Sequence, residues 1–187
     1  MTFMPSLSED ATVVDVFAKF PDLYAAMAAF SEAAFRSDGP LSTAERQFLF
    51  TFVSRLNECK YCAGGHGAIV EALGMEGKLL DEAIADIETA SVEDNLKPLL
   101  AYVKKLNDEP TRMVQADADA VFSAGWSEEA LERAIALCCL ANFMNRLVEG
   151  HGIVARPEDF ARRADMAIEH GYLEPFLKMT GRAKEKE

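Results

Sequence analysis

Helix signals recur along this 187-residue chain, and no run of alternating β-branched residues predicts a strand. The residues that favour helices, namely alanine, leucine, glutamate and methionine, are abundant. Ser42 followed by Glu45 forms a capping box, which satisfies backbone donors at a helix start. Ser127, followed by Glu128 and Glu129, predicts the start of a long second helix. These signals predict an all-α fold.

The predicted helices follow one another without a linker or a low-complexity segment. Ser8 or Asp10 is expected to cap the first helix, and Pro21 suits the first turn of the second. The last helix is expected to begin at Pro157. The predicted ranges are 13–17, 22–35, 42–57, 59–73, 77–88, 93–107, 114–124 and 127–147. We therefore expect residues 1–187 to form one domain, with a core motif at 40–75.

Two segments of the chain resemble each other at an offset of 85 residues. At this offset, residues 41–69 align with residues 126–154 without gaps, and the two GHG tripeptides align with each other. This match predicts an internal duplication of a helical motif, with the related second half at about 126–155. Only the first copy contains Cys59 and Cys62.

The net charge of −12 excludes several classes of partner. Binding to nucleic acid or to an anionic membrane depends on clustered lysine and arginine, and no such cluster occurs. No apolar run approaches the roughly 20 residues of a membrane span, and no secretory leader is visible. We therefore expect a cytoplasmic protein. In a reducing compartment, a CxxC motif is more often redox-active or metal-binding than a structural disulfide.

The stretch NECKYCAGGHG carries the main candidate chemistry, because Cys59, Cys62 and His66 share one face of a helix. At a helix start, the dipole and the unpaired N–H groups stabilise a thiolate, and the charge of Lys60 adds to this. His66 can accept a thiol proton. Cys59 is nearer the helix start and Cys62 nearer His66. We favour Cys62 as the attacking thiol, although the sequence leaves the choice open.

A zinc site is an alternative interpretation. Cys59, Cys62 and His66 would supply three ligands, and His151 or His170 could complete the set through the tertiary fold. Otherwise His151 is expected to have a core or interface role and His170 a surface position.

The remaining thiols, Cys138 and Cys139, lie in the middle of a helix and are predicted to be structural. Gly64, Gly65 and Gly67 each lower helix stability by about 1 kcal/mol relative to alanine. They therefore predict close packing, or access for a substrate, beside the CxxC motif.

The pattern LSxxER…SRLNxCxYCxxxHG resembles the alkylhydroperoxidase D (AhpD)-like, peroxidase-related branch of the carboxymuconolactone decarboxylase superfamily. The later FMNRLVEGHGI resembles the second half of that branch. The resemblance implies an all-helical homo-oligomer that reduces small hydroperoxides through a dithiol–disulfide cycle. It implies no metal, haem or flavin, and an external dithiol or disulfide reductase as the partner.

By position, Cys59 and Cys62 match the redox pair of that branch, with Cys62 as the thiol that attacks peroxide. His66 matches the histidine of the proton relay. Two residues depart from the pattern, since Gln47 replaces a glutamate and Tyr61 replaces a histidine. Glutamine can orient His66 but cannot transfer a proton as a carboxylate does. A phenol can donate a hydrogen bond, but it titrates too high to act as a base near pH 7.

Three other acidic residues are candidates for the missing carboxylate: Glu58 is the nearest in sequence, Glu132 is more remote, and Glu45 lies on a different helical face. The leading hypothesis is a thiol-dependent peroxidase. The alternatives are a general thiol–disulfide oxidoreductase or redox sensor, a lyase of the lactone decarboxylase type, and a non-enzymatic oligomer whose CxxC is structural or binds zinc.

Overall fold

The computed structural model describes residues 2–182, which form ten α-helices, a short 3-10 turn and no strand. This confirms the predicted all-α fold. The helices are α1 (Val13–Lys19), α2 (Pro21–Arg36), α3 (Thr43–Leu56), α4 (Lys60–Ala72), α5 (Lys78–Ala85), α6 (Leu96–Asp108), α7 (Gln115–Ser123), α8 (Glu128–Gly150), α9 (Pro157–His170) and α10 (Leu173–Met179). None of the helices in the described range is long and apolar enough to cross a membrane.

Side-chain capping marks the starts of α3 and α8. The Ser42 hydroxyl accepts the Glu45 backbone N–H at 3.2 Å, and the Glu45 carboxylate accepts the Ser42 backbone N–H at 2.7 Å. Ser127 caps α8 in the same way through its hydroxyl. The predicted cap of α1 at Ser8 or Asp10 is wrong, because Thr12 occupies that position.

The end of the chain differs from the prediction of one last helix. Gly171, with φ of 71°, ends α9, and α10 follows it. A residue with a side chain rarely adopts such a φ, so glycine suits this turn.

Helix α3 lies at the centre of the fold. Every residue from Arg46 to Ser54 is buried, so this helix is enclosed on all sides rather than along one stripe. It packs against α2, α4, α5, α6 and α8. Phe48 and Phe52 are fully enclosed, and each such side chain contributes about 1.5–3 kcal/mol through burial.

The turn between α3 and α4 places the first cysteine. Glu58 adopts a φ of 56°, which reverses the chain, and the Cys59 backbone N–H then bonds to the carbonyl of Ser54 at 3.0 Å. Cys59 becomes the N-cap of α4. The corresponding part of the predicted second copy does not turn, because α8 continues unbroken to Gly150. The internal match therefore holds for the capped helix starts and fails at the cysteines.

A network of asparagines holds this turn in place. The Asn57 amide donates to Asn145 at 2.9 Å, and Asn107 donates to Asn57 at 3.0 Å. Asn142 donates to Asn107 at 2.7 Å, and Asn145 donates to the Ser54 hydroxyl at 3.0 Å. Because these residues belong to α3, α6 and α8, the network links three helices directly behind Cys59.

Helix α9 packs closely on α4 at Gly64. A Cβ atom at Gly64 would lie 2.1 Å from the ring of Phe160, so any larger residue would push α9 away. The sequence-based expectation of close packing is met at this position.

Candidate active site

The two cysteines of the CxxC motif lie at the start of α4 as free thiols. Cys59 is fully buried and Cys62 is 4% exposed. This places them where the sequence predicted, at the N-cap and in the first turn.

The pKa values of the two thiols move in opposite directions. Hydrogen bonding with Cys62 lowers the pKa of Cys59, while burial and the nearby Glu149 act against this. The pKa of Cys62 is raised, first by its hydrogen bond with Cys59 and then by burial, although Asn145 and Arg163 oppose the rise. In the reduced state the negative charge is therefore favoured on Cys59. The sequence-based expectation placed the thiolate on Cys62.

His66 is held by a hydrogen-bonded chain that begins with its Nδ1 atom. This atom lies 2.7 Å from Gln47 Oε1, and the Gln47 amide N–H donates to the Tyr172 hydroxyl at 2.9 Å. Since an amide oxygen only accepts, Nδ1 carries the proton and Nε2 keeps a free lone pair. Burial, followed by the charge of Arg163, lowers the pKa of His66 to about 3. The ring is therefore neutral at physiological pH.

Three aromatic rings fix the plane of His66. Its ring centroid is 5.1 Å from Phe35, 4.1 Å from Phe50 and 6.1 Å from Tyr172. Tyr172 was not identified from the sequence, because it belongs to the unpredicted turn before α10 and meets Gln47 only through the tertiary fold. Its burial raises the pKa of the phenol. Tyr172 thus fixes both the amide of Gln47 and the ring of His66.

Tyr61 connects α4 to two other helices. Its hydroxyl accepts the backbone N–H of Val13 at 3.2 Å and a hydrogen bond from the guanidinium of Arg163. The same guanidinium lies 4.1 Å from the centroid of the Tyr61 ring, a cation–π contact. Burial raises the pKa of Tyr61. We expected this hydroxyl to donate a hydrogen bond to a thiolate or peroxide, whereas both of these contacts use it as an acceptor.

A cavity of about 300 Å³ opens beside Cys62. Cys62, Gly65 and His66 of α4 line this cavity, and residues of α1 and α9 also contribute to its lining. Most of the remaining surface is apolar, including Phe17, Phe50, Ile69, Met144 and Met166. Cys59 does not line this cavity, so Cys62 is the thiol that a bound molecule would meet.

The other candidate residues lie away from this site. His151 follows α8 and its Nδ1 is 2.8 Å from the Leu147 carbonyl, while His170 lies beside Glu169 at 3.6 Å. Cys138 is buried as predicted, but Cys139 is exposed, which contradicts its interpretation as a buried hydrophobe. Within residues 2–182, no group of three or more His, Cys, Asp or Glu side chains is arranged to hold a metal ion.

The site and the fold define an all-helical protein with a buried dithiol beside a histidine-lined cavity. Residues 21–105 match the model of the carboxymuconolactone decarboxylase family. None of the curated protein sequences matches this chain significantly.

Two solved structures share the fold. The first, from Ralstonia eutropha JMP134, is described as an alkylhydroperoxidase AhpD core and peroxidase-related protein. The two sequences are 22% identical, and the TM-score is 0.71. The match covers 91% of this chain and 80% of the Ralstonia chain. The second is a peroxidase-related protein from Silicibacter sp. TM1040. The two sequences are 21% identical, and the TM-score is 0.73. The match covers 80% of this chain and 78% of the Silicibacter chain. With the family match over residues 21–105, this confirms the resemblance to the AhpD-like branch of the carboxymuconolactone decarboxylase superfamily.

Proposed function

We propose that this protein reduces hydroperoxides through a dithiol–disulfide cycle of Cys62 and Cys59. The observation that supports this most is the shared cavity, which the Cys62 thiol and a neutral imidazole both line. Cys59 is buried outside the cavity and in contact with Cys62, which suits a resolving thiol. The names of the two structural neighbours agree with peroxidase-related chemistry.

The cycle needs no group other than a hydroperoxide and an external dithiol. His66 Nε2 accepts the Cys62 proton as the sulfur attacks the distal oxygen of the hydroperoxide. The O–O bond breaks, Cys62 becomes a sulfenic acid, and the leaving alkoxide takes the proton to become an alcohol. Cys59 then attacks the sulfenic sulfur, water leaves, and the disulfide forms. An external dithiol returns both residues to thiols by exchange.

Gln47 defines how His66 takes part. Its carbonyl oxygen holds the proton on Nδ1, so Nε2 is the atom free to act as a base. An amide cannot carry that proton onward, so each proton taken from Cys62 returns to the leaving oxygen in the same active site.

The test is a thiol count before and after one equivalent of cumene hydroperoxide, with mass mapping of each cysteine. We expect Cys59 and Cys62 to disappear together within seconds into one disulfide. The doubly substituted Cys138→Ser, Cys139→Ser protein serves as the control, because only the CxxC thiols then remain. Thiols that stay reduced under these conditions would contradict the proposal.

A general thiol–disulfide oxidoreductase is the second candidate function. The absence of a carboxylate at Gln47 favours it, because an amide cannot supply the proton transfer that assists cleavage of the O–O bond. In the same assay, this function predicts slow reaction with hydroperoxide and rapid oxidation by a small disulfide. A lyase would instead keep its activity when both CxxC cysteines are replaced.

A further inference from the structure

The cavity beside Cys62 is much larger than hydrogen peroxide requires. Its volume of about 300 Å³ is about ten times the share of one water molecule in the liquid, which is roughly 30 Å³. It lies at the lower end of the range of about 300–1,000 Å³ for sites that bind organic molecules. Its largely apolar lining is suited to a hydrocarbon body rather than to water or hydrogen peroxide.

Gly65 sets the width of the cavity next to the reactive groups. A Cβ atom at Gly65 would meet no other atom within 4 Å, so the missing side chain leaves open space there. Gly65 also lines the cavity between Cys62 and His66 in sequence. Glycine at this buried helical position lowers helix stability, by about 1 kcal/mol relative to alanine, and packing does not require it. The cost is explained if the space serves a ligand.

Arg163 places a positive charge in the lining of the cavity. No carboxylate within residues 2–182 lies at ion-pairing distance from Arg163, although the whole chain carries a net charge of −12. Asp159, one turn earlier, pairs with the neighbouring Arg162 at 2.9 Å. Arg163 instead rests on the ring of Tyr61, which holds its guanidinium at the cavity.

We propose that the substrate is a hydroperoxide on an apolar body that also bears a carboxylate, which Arg163 binds. This inference rests on the proposed peroxidase function and adds the substrate class. The hydroperoxide group lies between Cys62 and His66, the apolar body fills the cavity beside Gly65, and the carboxylate accepts hydrogen bonds from the guanidinium. An arginine fork matches a carboxylate in geometry and charge, so this contact fixes the orientation of the substrate.

The first experiment compares three matched probes: cumene hydroperoxide, its para-carboxylate and the methyl ester of that carboxylate. Wild-type protein is expected to show kcat/KM for the carboxylate at least about tenfold above that for the ester, as a charged hydrogen bond allows. Arg163→Gln should reduce this ratio to about one, and Arg163→Lys should restore part of it. Arg112→Gln, which removes an exposed guanidinium that does not line the cavity, should keep the wild-type ratio.

Arg163 could instead act on the thiols through its charge alone. In that case Arg163→Gln would lower kcat/KM for all three probes by the same factor, and the ratio would not change. That outcome would overturn the proposal while leaving the peroxidase function intact.

The second experiment tests the size of the cavity. Gly65→Val adds an isopropyl group beside Cys62 and should lower kcat/KM for the cumyl probes about tenfold relative to that for hydrogen peroxide. Gly67→Ala is the matched control on the same helix, because its added methyl would meet only the Thr51 side chain at an ordinary 3.8 Å. Equal losses for large and small peroxides in Gly65→Val would contradict the assigned role of the cavity.

A binding measurement separates this inference from the proposed function. Calorimetry with cumyl alcohol and its para-carboxylate requires no turnover. The carboxylate should bind about tenfold more tightly than the neutral alcohol, and Arg163→Gln should remove the difference. If this holds while no hydroperoxide is consumed, the peroxidase function fails and the ligand class stands. If the two alcohols bind equally, the carboxylate proposal fails whatever the turnover.

Discussion

The protein contains two pairs of cysteines, and their surroundings differ in almost every respect. Cys59 and Cys62 lie one helical turn apart at the start of α4, and each affects the ionisation of the other. Cys138 and Cys139 are adjacent within α8, and successive helical residues point about 100° apart. One of them is therefore buried and the other exposed. Because Cys138 and Cys139 are adjacent, their thiols point to different sides of α8. Cys59 and Cys62 are three residues apart, so their thiols lie on the same side of α4.

Burial alone does not distinguish the two pairs. Cys138 is as buried as Cys62, and its sulfur lies 3.7 Å from the Val103 carbonyl. Desolvation raises the pKa of Cys138 to about 12, and the pKa of Cys62 is raised as well, so ionisation does not distinguish the two pairs either. The CxxC pair differs in having a second thiol, a neutral histidine and a cavity beside it. Those neighbours, rather than the cysteines themselves, define the reactive pair.

The largest expected effect tests this contrast directly. Cys62→Ser should lower peroxide consumption by about 100-fold or more, because the attacking sulfur is lost. Cys138→Ser should keep activity within about twofold and lower only stability, because it replaces a thiol in the core. Peroxide consumption and urea unfolding of both variants provide the check. Parental consumption by Cys62→Ser would contradict the roles assigned to the two thiols.

A second substitution should strengthen the reactive pair. Gln47→Glu places a carboxylate against His66 Nδ1, where it stabilises the imidazolium that forms when Cys62 loses its proton. We expect peroxide turnover to rise about tenfold, which is less than the roughly 100-fold minimum for a complete general acid–base contribution, because Gln47 already orients His66. Gln47 is only 2% exposed, so a loss of stability should accompany the gain. Unchanged turnover would show that proton transfer at His66 does not limit the rate.

A third substitution removes the outer support of the histidine. Tyr172→Phe leaves the Gln47 N–H without an acceptor, which should destabilise the fold by about 1–3 kcal/mol. It should also lower turnover about threefold, because the freed amide can turn and reverse the tautomer of His66. Nitrogen-15 NMR of the imidazole reports the tautomer directly. The control is Tyr102→Phe in α6, which should leave the imidazole signals unchanged.

The smallest expected effect is a pH dependence of stability. The pKa of His66 falls from its ordinary value of 6.5 to about 3 in the folded protein. Between these values the unfolded chain binds more protons, so the free energy of unfolding falls as the pH is lowered from 6.5 towards 3. Relative to His66→Gln, the wild type should lose about 1–2 kcal/mol more between pH 7 and 4.5, since the cavity leaves the ring partly solvated. Parallel urea-unfolding curves would contradict a neutral His66.

The parts of the structure that were predicted from sequence depend on short-range physics. The capping interactions of Ser42 and Ser127 involve residues within three positions, so the pattern alone locates these helix starts. The same holds for the spacing that puts Cys59 and Cys62 in the first turn of a helix. The contact between Gln47 and His66 was expected from the family resemblance, and the structure contains it.

The parts that were missed depend on contacts between distant segments. Tyr172 meets Gln47 across 125 positions, and Arg163 meets Tyr61 across 102. No local sequence pattern identifies either residue, because an arginine or a tyrosine exposed on the surface would stand in a similar sequence context. The direction of the pKa shift at Cys62 was also missed, since it arises from burial and from the second thiol rather than from helix position.

The close contact between Gly64 and Phe160 has an evolutionary consequence. This contact holds α9 against α4. Helix α9 supplies Arg163 and Met166 to the cavity that Cys62 and His66 also line. Cys59, Cys62 and His66 lie inside the family-matched segment 21–105, whereas α9 lies outside it. The residues of the proposed dithiol cycle and those of the proposed substrate contact can therefore change independently. Under the proposed cycle, substitutions in α9 can change which substrate is accepted while Cys59, Cys62 and His66 stay the same.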